Sequence, residues 1–592
     1  MMMISRRPLL GGLKRLPTAF SARLQSTAPG TEAAAKKAKE KAEDIAKWEA
    51  QREQYNPKKD PLNTKFGKWF QFGLIFTIGA TVGSGYISYK VGENPPSFLF
   101  PSSSTTKLEE LVPAKYGSVD SKVLAELELL LGSDQISQKQ QQLDEHSDTY
   151  WNSHHAEAEQ RPICVVYPQT TEQVSGIMKI CHSHRIPVVP FSGGTSLEGH
   201  FIPTRGGICI DLSAMNNILA LHKEDLDIMV QPCVGWEELD DYLSEYGLMF
   251  GPDPGPGAMI GGMIGTSCSG TNAARYGTMK ENVVSLTVVL ADGTVLKTKK
   301  RPRKSSAGYN LNGLFIGSEG TLGIVTEATL KLYVRPKFEH VAVVSFPKID
   351  DAANTVSRIV AEGITVNAME LLDDRMMHFI NESGGVSQTY KEAPTLFFKL
   401  GGETQDSVRS LVKKVQAIVK ENNCASFKFA EDAGEKAELW SARKVALWST
   451  MDYGRKKISQ DIQLWTTDVA VPISKLCELL VETKQDMEDS GLAASLVGHA
   501  GDGNFHAFLL FKPEQRPIAE TLVERMVQRA LKYDGTCTGE HGVGFGKRSF
   551  LEEELGSQVV DAMRKVKLAL DPYRLLNPDK VFRIDPAEKS EH

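Results

Sequence analysis

The chain has 592 residues, 41% of them hydrophobic, a length that supports two or three domains with separate cores. Its net charge of −6 and pI near 6.2 exclude a globally basic nucleic-acid binder. Eight cysteines are scattered without a C-x-x-C pair, which argues against a disulfide-stapled scaffold and for buried free thiols.

The first hundred residues read as an address and a tether. Residues 1–31 hold Arg6, Arg7, Lys14, Arg15 and Arg23, with serines and no acid before Glu32, the composition of a mitochondrial presequence. Residues 32–68 are densely charged and rich in helix formers as far as Arg52, which predicts a solvated helix. Residues 69–89 carry no charge and are long enough to cross a bilayer as one transmembrane helix. Trp69, Phe70, Tyr86 and Tyr89 stand at its ends, where interfacial aromatics belong. Basic residues concentrate before this segment. The positive-inside rule then leaves the N-terminal side in the matrix and the large C-terminal part facing the intermembrane space, on the mitochondrial inner membrane. Residues 90–111 read as a Pro/Ser linker.

The expected fold class is α+β, with a two-part glycine-rich domain over 112–335, an antiparallel-sheet cap over 336–530 and a helical C-terminal segment over 531–592. In the first part, Ile163–Tyr167 predicts a short strand, and Thr170 with Gln173 predicts a capped helix. Ile186–Pro190 is the next strand. The turn after it holds Ser192, Gly193, Gly194, Thr195 and Ser196, small residues whose backbone N–H groups can converge on an anion. It lacks the Gly-Lys-Ser/Thr of a phosphoryl-transfer loop. A second glycine cluster spans 251–277, suited to close backbone approach to a flat ligand. A third runs from Lys304 through Gly317-Ser318-Glu319-Gly320 to Glu327, after a hairpin turned at Asp292-Gly293.

These three pieces resemble the FAD-binding half of the vanillyl-alcohol-oxidase-type FAD-linked oxidases, in the branch of D-lactate, D-2-hydroxyglutarate and glycolate dehydrogenases. The resemblance covers about residues 140–585. It implies that Ser192–Ser196 hold the FAD pyrophosphate and that Pro254, Gly261, Gly262, Ser269, Thr271 and Ile324 line the adenosine and flavin. Some relatives attach FAD through a histidine in the first loop; Thr195 stands there, so FAD is expected to be non-covalent.

In the cap, strand-like runs at His340–Phe346, Thr395–Leu400, Leu492–Val497 and Phe505–Phe511 alternate with helix-like ones. The sharpest chemical cluster is Gly498-His499-Ala500-Gly501-Asp502-Gly503-Asn504-Phe505-His506. A two-residue turn at Asp502-Gly503 would pair His499 with His506 across a hairpin, close enough to share one divalent ion. Cys537-Thr538-Gly539-Glu540-His541-Gly542 adds a carboxylate and a base. His499, His506 and Glu540 make a metal set that fits Zn, Mn or Fe, with zinc the first expectation. The resemblance gives Glu540 the metal and His541 the substrate hydroxyl proton.

Arg443 matches a substrate arginine of the relatives, and Asn577 a C-terminal stretch that returns to the flavin. Hydroxyglutarate relatives carry a lysine for the second carboxylate where this chain has Thr466, which favours D-lactate, with cytochrome c as the expected acceptor. The alternatives are a D-2-hydroxyglutarate or glycolate dehydrogenase, or a silent flavin-binding membrane protein; the intact histidine set argues against the last.

Overall fold

The apolar run Cys164–Val166 forms a buried strand. Thr170 then caps helix Thr171–His184, its hydroxyl accepting from the Gln173 amide at 3.2 Å. The Gln173 side chain reaches the amide of Gln169 at 2.6 Å rather than that of Thr170. Arg185, in the left-handed region at φ 55°, ends the helix and turns the chain into strand Val188–Phe191. Val188–Phe191 and Cys164–Val166 both run parallel to Ile208–Asp211, in a four-stranded sheet edged by Ile136–Ser137.

The computed structural model describes residues 31–53, 65, 67–69, 72–77, 103–430 and 432–588. The chain divides into two units, Met1–Leu99 and Phe100–His592. In the first, helix Thr31–Glu53 has only exposed side chains among those described, as its charge predicts. The expected presequence lies outside the described residues except for Thr31. Of the expected span 69–89, Trp69 and residues 72–77 are described and helical, and the remainder lies outside. Among the described residues no helix is long and apolar enough to cross a membrane.

In the second unit, a six-stranded antiparallel sheet follows the four-stranded one, centred on the long strand Ile324–Val334. Val283–Val289 and Val295–Lys297 pair around the Asp292-Gly293 turn. After Val334 the next strand, Phe338–Ser345, already belongs to an eight-stranded antiparallel sheet. Helices Ile349–Ala361, Gln405–Glu421, Leu476–Ser490 and Arg516–Lys532 bury their apolar faces in the core against this sheet.

The histidine hairpin differs from the expected register. Strands Ala493–Gly498 and Asn504–Phe511 pair Val497, not His499, with His506. A 3₁₀ turn over Ala500–Asp502 and Gly503 at φ 73° replace the two-residue turn. Gly503 is required there: a Cβ would meet the Val471 carbonyl oxygen at 2.2 Å. His499 therefore leaves the ladder and sits at the head of the turn.

Candidate active site

The site is built where the cap sheet meets the glycine-rich turns. His499 heads the hairpin turn and His506 lies on the following strand; their rings are 5.6 Å apart between centroids and nearly perpendicular. Glu540 comes from the loop after helix Arg516–Lys532 and meets both: its Oε1 is 2.9 Å from His499 Nε2 and 3.2 Å from His506 Nε2. One oxygen of each of the three side chains, or its ring nitrogen, falls within 4.8 Å of the others. The far nitrogens are also engaged. His499 Nδ1 is 2.9 Å from Glu370 Oε1, and His506 Nδ1 is 3.0 Å from the Thr467 carbonyl oxygen. Two imidazoles and a carboxylate aimed at one point, each imidazole backed by an acceptor, fit a divalent metal ion.

Burial pushes carboxylates up, yet the two imidazoles hold Glu540 well below the usual carboxylate range. Burial likewise pushes His499 down, but Glu370 and Glu540 together raise it well above the ordinary histidine value. The cluster is thus polarised toward ionised carboxylates.

His541 stacks on His506 with centroids 4.8 Å apart and planes 8° apart. Its Nδ1 is buried without a hydrogen-bond partner. Burial, against the pull of Asp468, pushes its pKa down to about 3, so the ring is neutral near pH 7 and holds an added proton only weakly.

The loop carrying Glu540 and His541 is clamped from two sides. Asp468 Oδ2 accepts from the amides of Gly539 (2.7 Å), Glu540 (2.9 Å) and His541 (2.9 Å) and from the Thr538 hydroxyl (2.8 Å). Glu319 accepts from the amides of Val543 and Gly544, each at 2.7 Å. Burial raises a carboxyl, but His541 and Lys547 hold Asp468 far below the usual range.

A cavity of about 1170 Å³ runs from the first glycine-rich turn to this cluster. Its walls include Ser192–Ser196, Pro254, Gly261, Gly262, Thr271, Ile324 and Asn577 on one side, and Arg443, His499, His506, Glu540 and His541 on the other. Gly194, at φ 63°, bends the first turn around this space. A cradle of small residues in a cavity of this volume fits a dinucleotide flavin.

One expected residue is placed differently, and another has a second partner. Ser269 does not line the cavity: its hydroxyl donates to Glu540 Oε2 at 2.6 Å, satisfying the buried carboxylate's second oxygen. Arg443 does line it, but its Nε is committed to Glu370 Oε2 at 2.7 Å. Sequence reasoning missed Glu370, Asp468 and Glu319. Each had a faint signal: an acid inside the apolar strand Ala368–Leu372, an acid just before Val469, and an acid within the Gly317-Ser318-Glu319-Gly320 turn.

Such a flavin cradle facing a histidine-rich cap defines a FAD-linked oxidoreductase. Residues 162–299 match the family model for a FAD binding domain, and residues 335–581 that for the C-terminal domain of FAD linked oxidases. The chain belongs to the FAD-linked oxidases. It is 57% identical over 517 residues to the mitochondrial D-lactate dehydrogenase [cytochrome] of Kluyveromyces lactis, covering 86% of this chain and 90% of that one. It is 58% identical over 499 residues to D-lactate dehydrogenase [cytochrome] 1 of Saccharomyces cerevisiae, covering 82% and 85%. Among solved structures, 4-ethylphenol oxidase from Gulosibacter chungangensis shares the fold, with a TM-score of 0.65 at 17% identity over 80% of this chain and 99% of that one.

Proposed function

We propose that this chain oxidises D-lactate to pyruvate with non-covalently held FAD and passes the electrons to cytochrome c. The observation that carries the reading is the convergence of His499, His506, Glu540 and His541 on the wall of the same cavity as the glycine-rich cradle. The names of the yeast relatives, D-lactate dehydrogenase [cytochrome], favour this substrate and acceptor.

Bound FAD supplies the hydride acceptor, cradled along Ser192–Ser196, Gly261 and Gly262. A divalent ion, zinc in the first instance, held by His499, His506 and Glu540, supplies Lewis acidity toward the substrate hydroxyl. His541, whose ring lines the cavity, takes the hydroxyl proton. Arg443 turns the remaining donors of its fork to the substrate carboxylate. Thr466, neutral and only 9% exposed, lines the cavity where the hydroxyglutarate relatives carry a lysine, which favours a monocarboxylate. Thr195 offers no side chain for a covalent flavin link.

The proposal extends to location. The uncharged segment 69–89 and the basic residues before it support a tether in the mitochondrial inner membrane with the catalytic part on the intermembrane-space side.

Anaerobic mixing of the FAD-loaded enzyme with D-lactate, D-2-hydroxyglutarate or glycolate tests the reading. D-lactate is expected to bleach the flavin fastest, with oxidised cytochrome c restoring its colour. His541→Ala is expected to retain FAD and lose about a hundredfold or more in bleaching rate. Faster bleaching by either rival acid would reassign the substrate, and near-normal bleaching in the variant would remove His541 as the base.

A further inference from the structure

Glu370 is an acid where the surrounding sequence calls for none. It lies on strand Ala368–Leu372, every residue of which is buried, and is itself 1% exposed. A carboxylate there is stable only if both of its oxygens are engaged by donors. They are, but by different partners: Oε1 faces His499 Nδ1 at 2.9 Å, and Oε2 accepts from Arg443 Nε at 2.7 Å.

We infer that Glu370 is a positioning residue that couples the metal-ligand cluster to the carboxylate-binding arginine, a single buried group orienting both. The inference rests on the function proposed above.

On one side, Glu370 holds the proton on His499 Nδ1, so that Nε2, which donates to Glu540 Oε1 at 2.9 Å, is the nitrogen left to exchange its proton for a metal ion. On the other, engaging Arg443 through Nε fixes the plane of the guanidinium and leaves its two terminal amino groups for a ligand in the cavity that Arg443 lines. The hydroxyl and the carboxylate of a 2-hydroxy acid are adjacent. A common brace sets the spacing between the groups that would receive them, which separate braces on a helix and a turn would not. Glutamine is nearly isosteric but has one accepting oxygen. Its amide NH₂ would face either the imidazole N–H or the guanidinium N–H, so it can serve only one partner.

The test uses full-length, FAD-loaded wild type, Glu370→Gln and Glu370→Asp, each stripped with chelator. Zinc is titrated against a chromophoric chelator without substrate. Oxalate is titrated into the zinc-free proteins and followed by the flavin absorbance change. Glu370→Gln is expected to weaken zinc binding about tenfold or more, in the range found for outer-sphere partners of metal-ligating histidines, and to weaken oxalate binding as well. Glu370→Asp keeps the charge but is one methylene shorter. It is expected to fold and retain FAD even if the glutamine variant does not, and to restore at most one of the two affinities. If either affinity is unchanged in both variants, the coupling is wrong. If wild type itself takes up no zinc, the metal reading of the site falls. Zinc uptake by wild type with unchanged variants overturns Glu370 alone.

Discussion

At the scale of single residues, the site is surrounded by buried charges whose energetics follow from their partners. Lys580 is 3% exposed, and its Nζ donates to the carbonyl oxygens of Ile202 (2.8 Å) and Pro578 (3.0 Å). Burial pushes its pKa down to about 8, against the attraction of Asp579. The folded state therefore releases this proton near pH 8, while the unfolded chain holds it to about 10.4. Between those values the unfolded state binds more protons, so stability gains a contribution that grows as pH rises. Lys580→Met cannot show this term. The stability difference, wild type minus variant, should rise from pH 7.5 to pH 10 by about 1 kcal/mol or more, read from denaturant midpoints. A constant difference would mean that the ammonium is not desolvated as its surroundings imply. The residues of the candidate site were more legible in sequence than this lysine. Histidine and glutamate beside glycines make a rare juxtaposition, whereas the burial of Lys580, Glu370 and Asp468 depends on which distant segments cover them.

At the scale of elements, sequence pattern placed four of the eight described cap strands to within a residue or two, left the other four unnamed and misread the hairpin that matters most. Asp502-Gly503 has the composition of a two-residue turn. Gly503 does take the left-handed conformation, but after a 3₁₀ turn, and the ladder closes two residues earlier, at Val497. The histidines still converge because Glu540 approaches from a third element, which no local pattern encodes. That element is the loop 538–544, and its conformation is set by carboxylates rather than by a ladder. Asp468→Asn would place an amide NH₂ against three backbone N–H groups that now share one carboxylate oxygen. Charge-assisted bonds of this kind contribute about 1.5–3 kcal/mol each. Hydrogen exchange at the amides of Gly539, Glu540 and His541 is expected to quicken at least tenfold. The amides of Val543 and Gly544, held by Glu319, should keep their protection. Uniform loosening across 538–544 would show instead that the loop opens as one body and that Asp468 has no separate role.

At the scale of the whole catalytic unit, the C-terminus closes the flavin half from far along the sequence. Leu576 is fully buried in the same core as Val166, Val188 and Ile208, and it bridges Val188 in parallel. Val188 N donates to the Leu575 carbonyl at 2.8 Å, and Asn577 N to that of Val188 at 2.7 Å, so the tail continues the four-stranded sheet beside the strand that leads into the first glycine-rich turn. Asn577 Nδ2 donates to the carbonyls of His200 (3.0 Å) and Glu319 (2.7 Å), tying the tail to the residue that also holds the loop 538–544. Lys567, from the helix before the tail, donates to the Thr321 carbonyl at 2.6 Å, to Asp571 at 2.6 Å and to the Leu576 carbonyl at 2.8 Å. Ending the chain at Leu570 would remove Asp571 and Leu576 together. Lys567 would be left buried without its carboxylate and the sheet edge unpaired, and losing the Leu576 side chain alone is a change of about 2–5 kcal/mol. The cap has its own sheet and core, so the damage should fall on the cradle first. The truncated chain is expected to purify with a small fraction of the wild-type flavin-to-protein absorbance ratio, while far-UV circular dichroism retains most of its signal. A truncated chain that kept its full flavin but lost turnover would instead place the tail's role in the chemistry and leave the cradle self-sufficient.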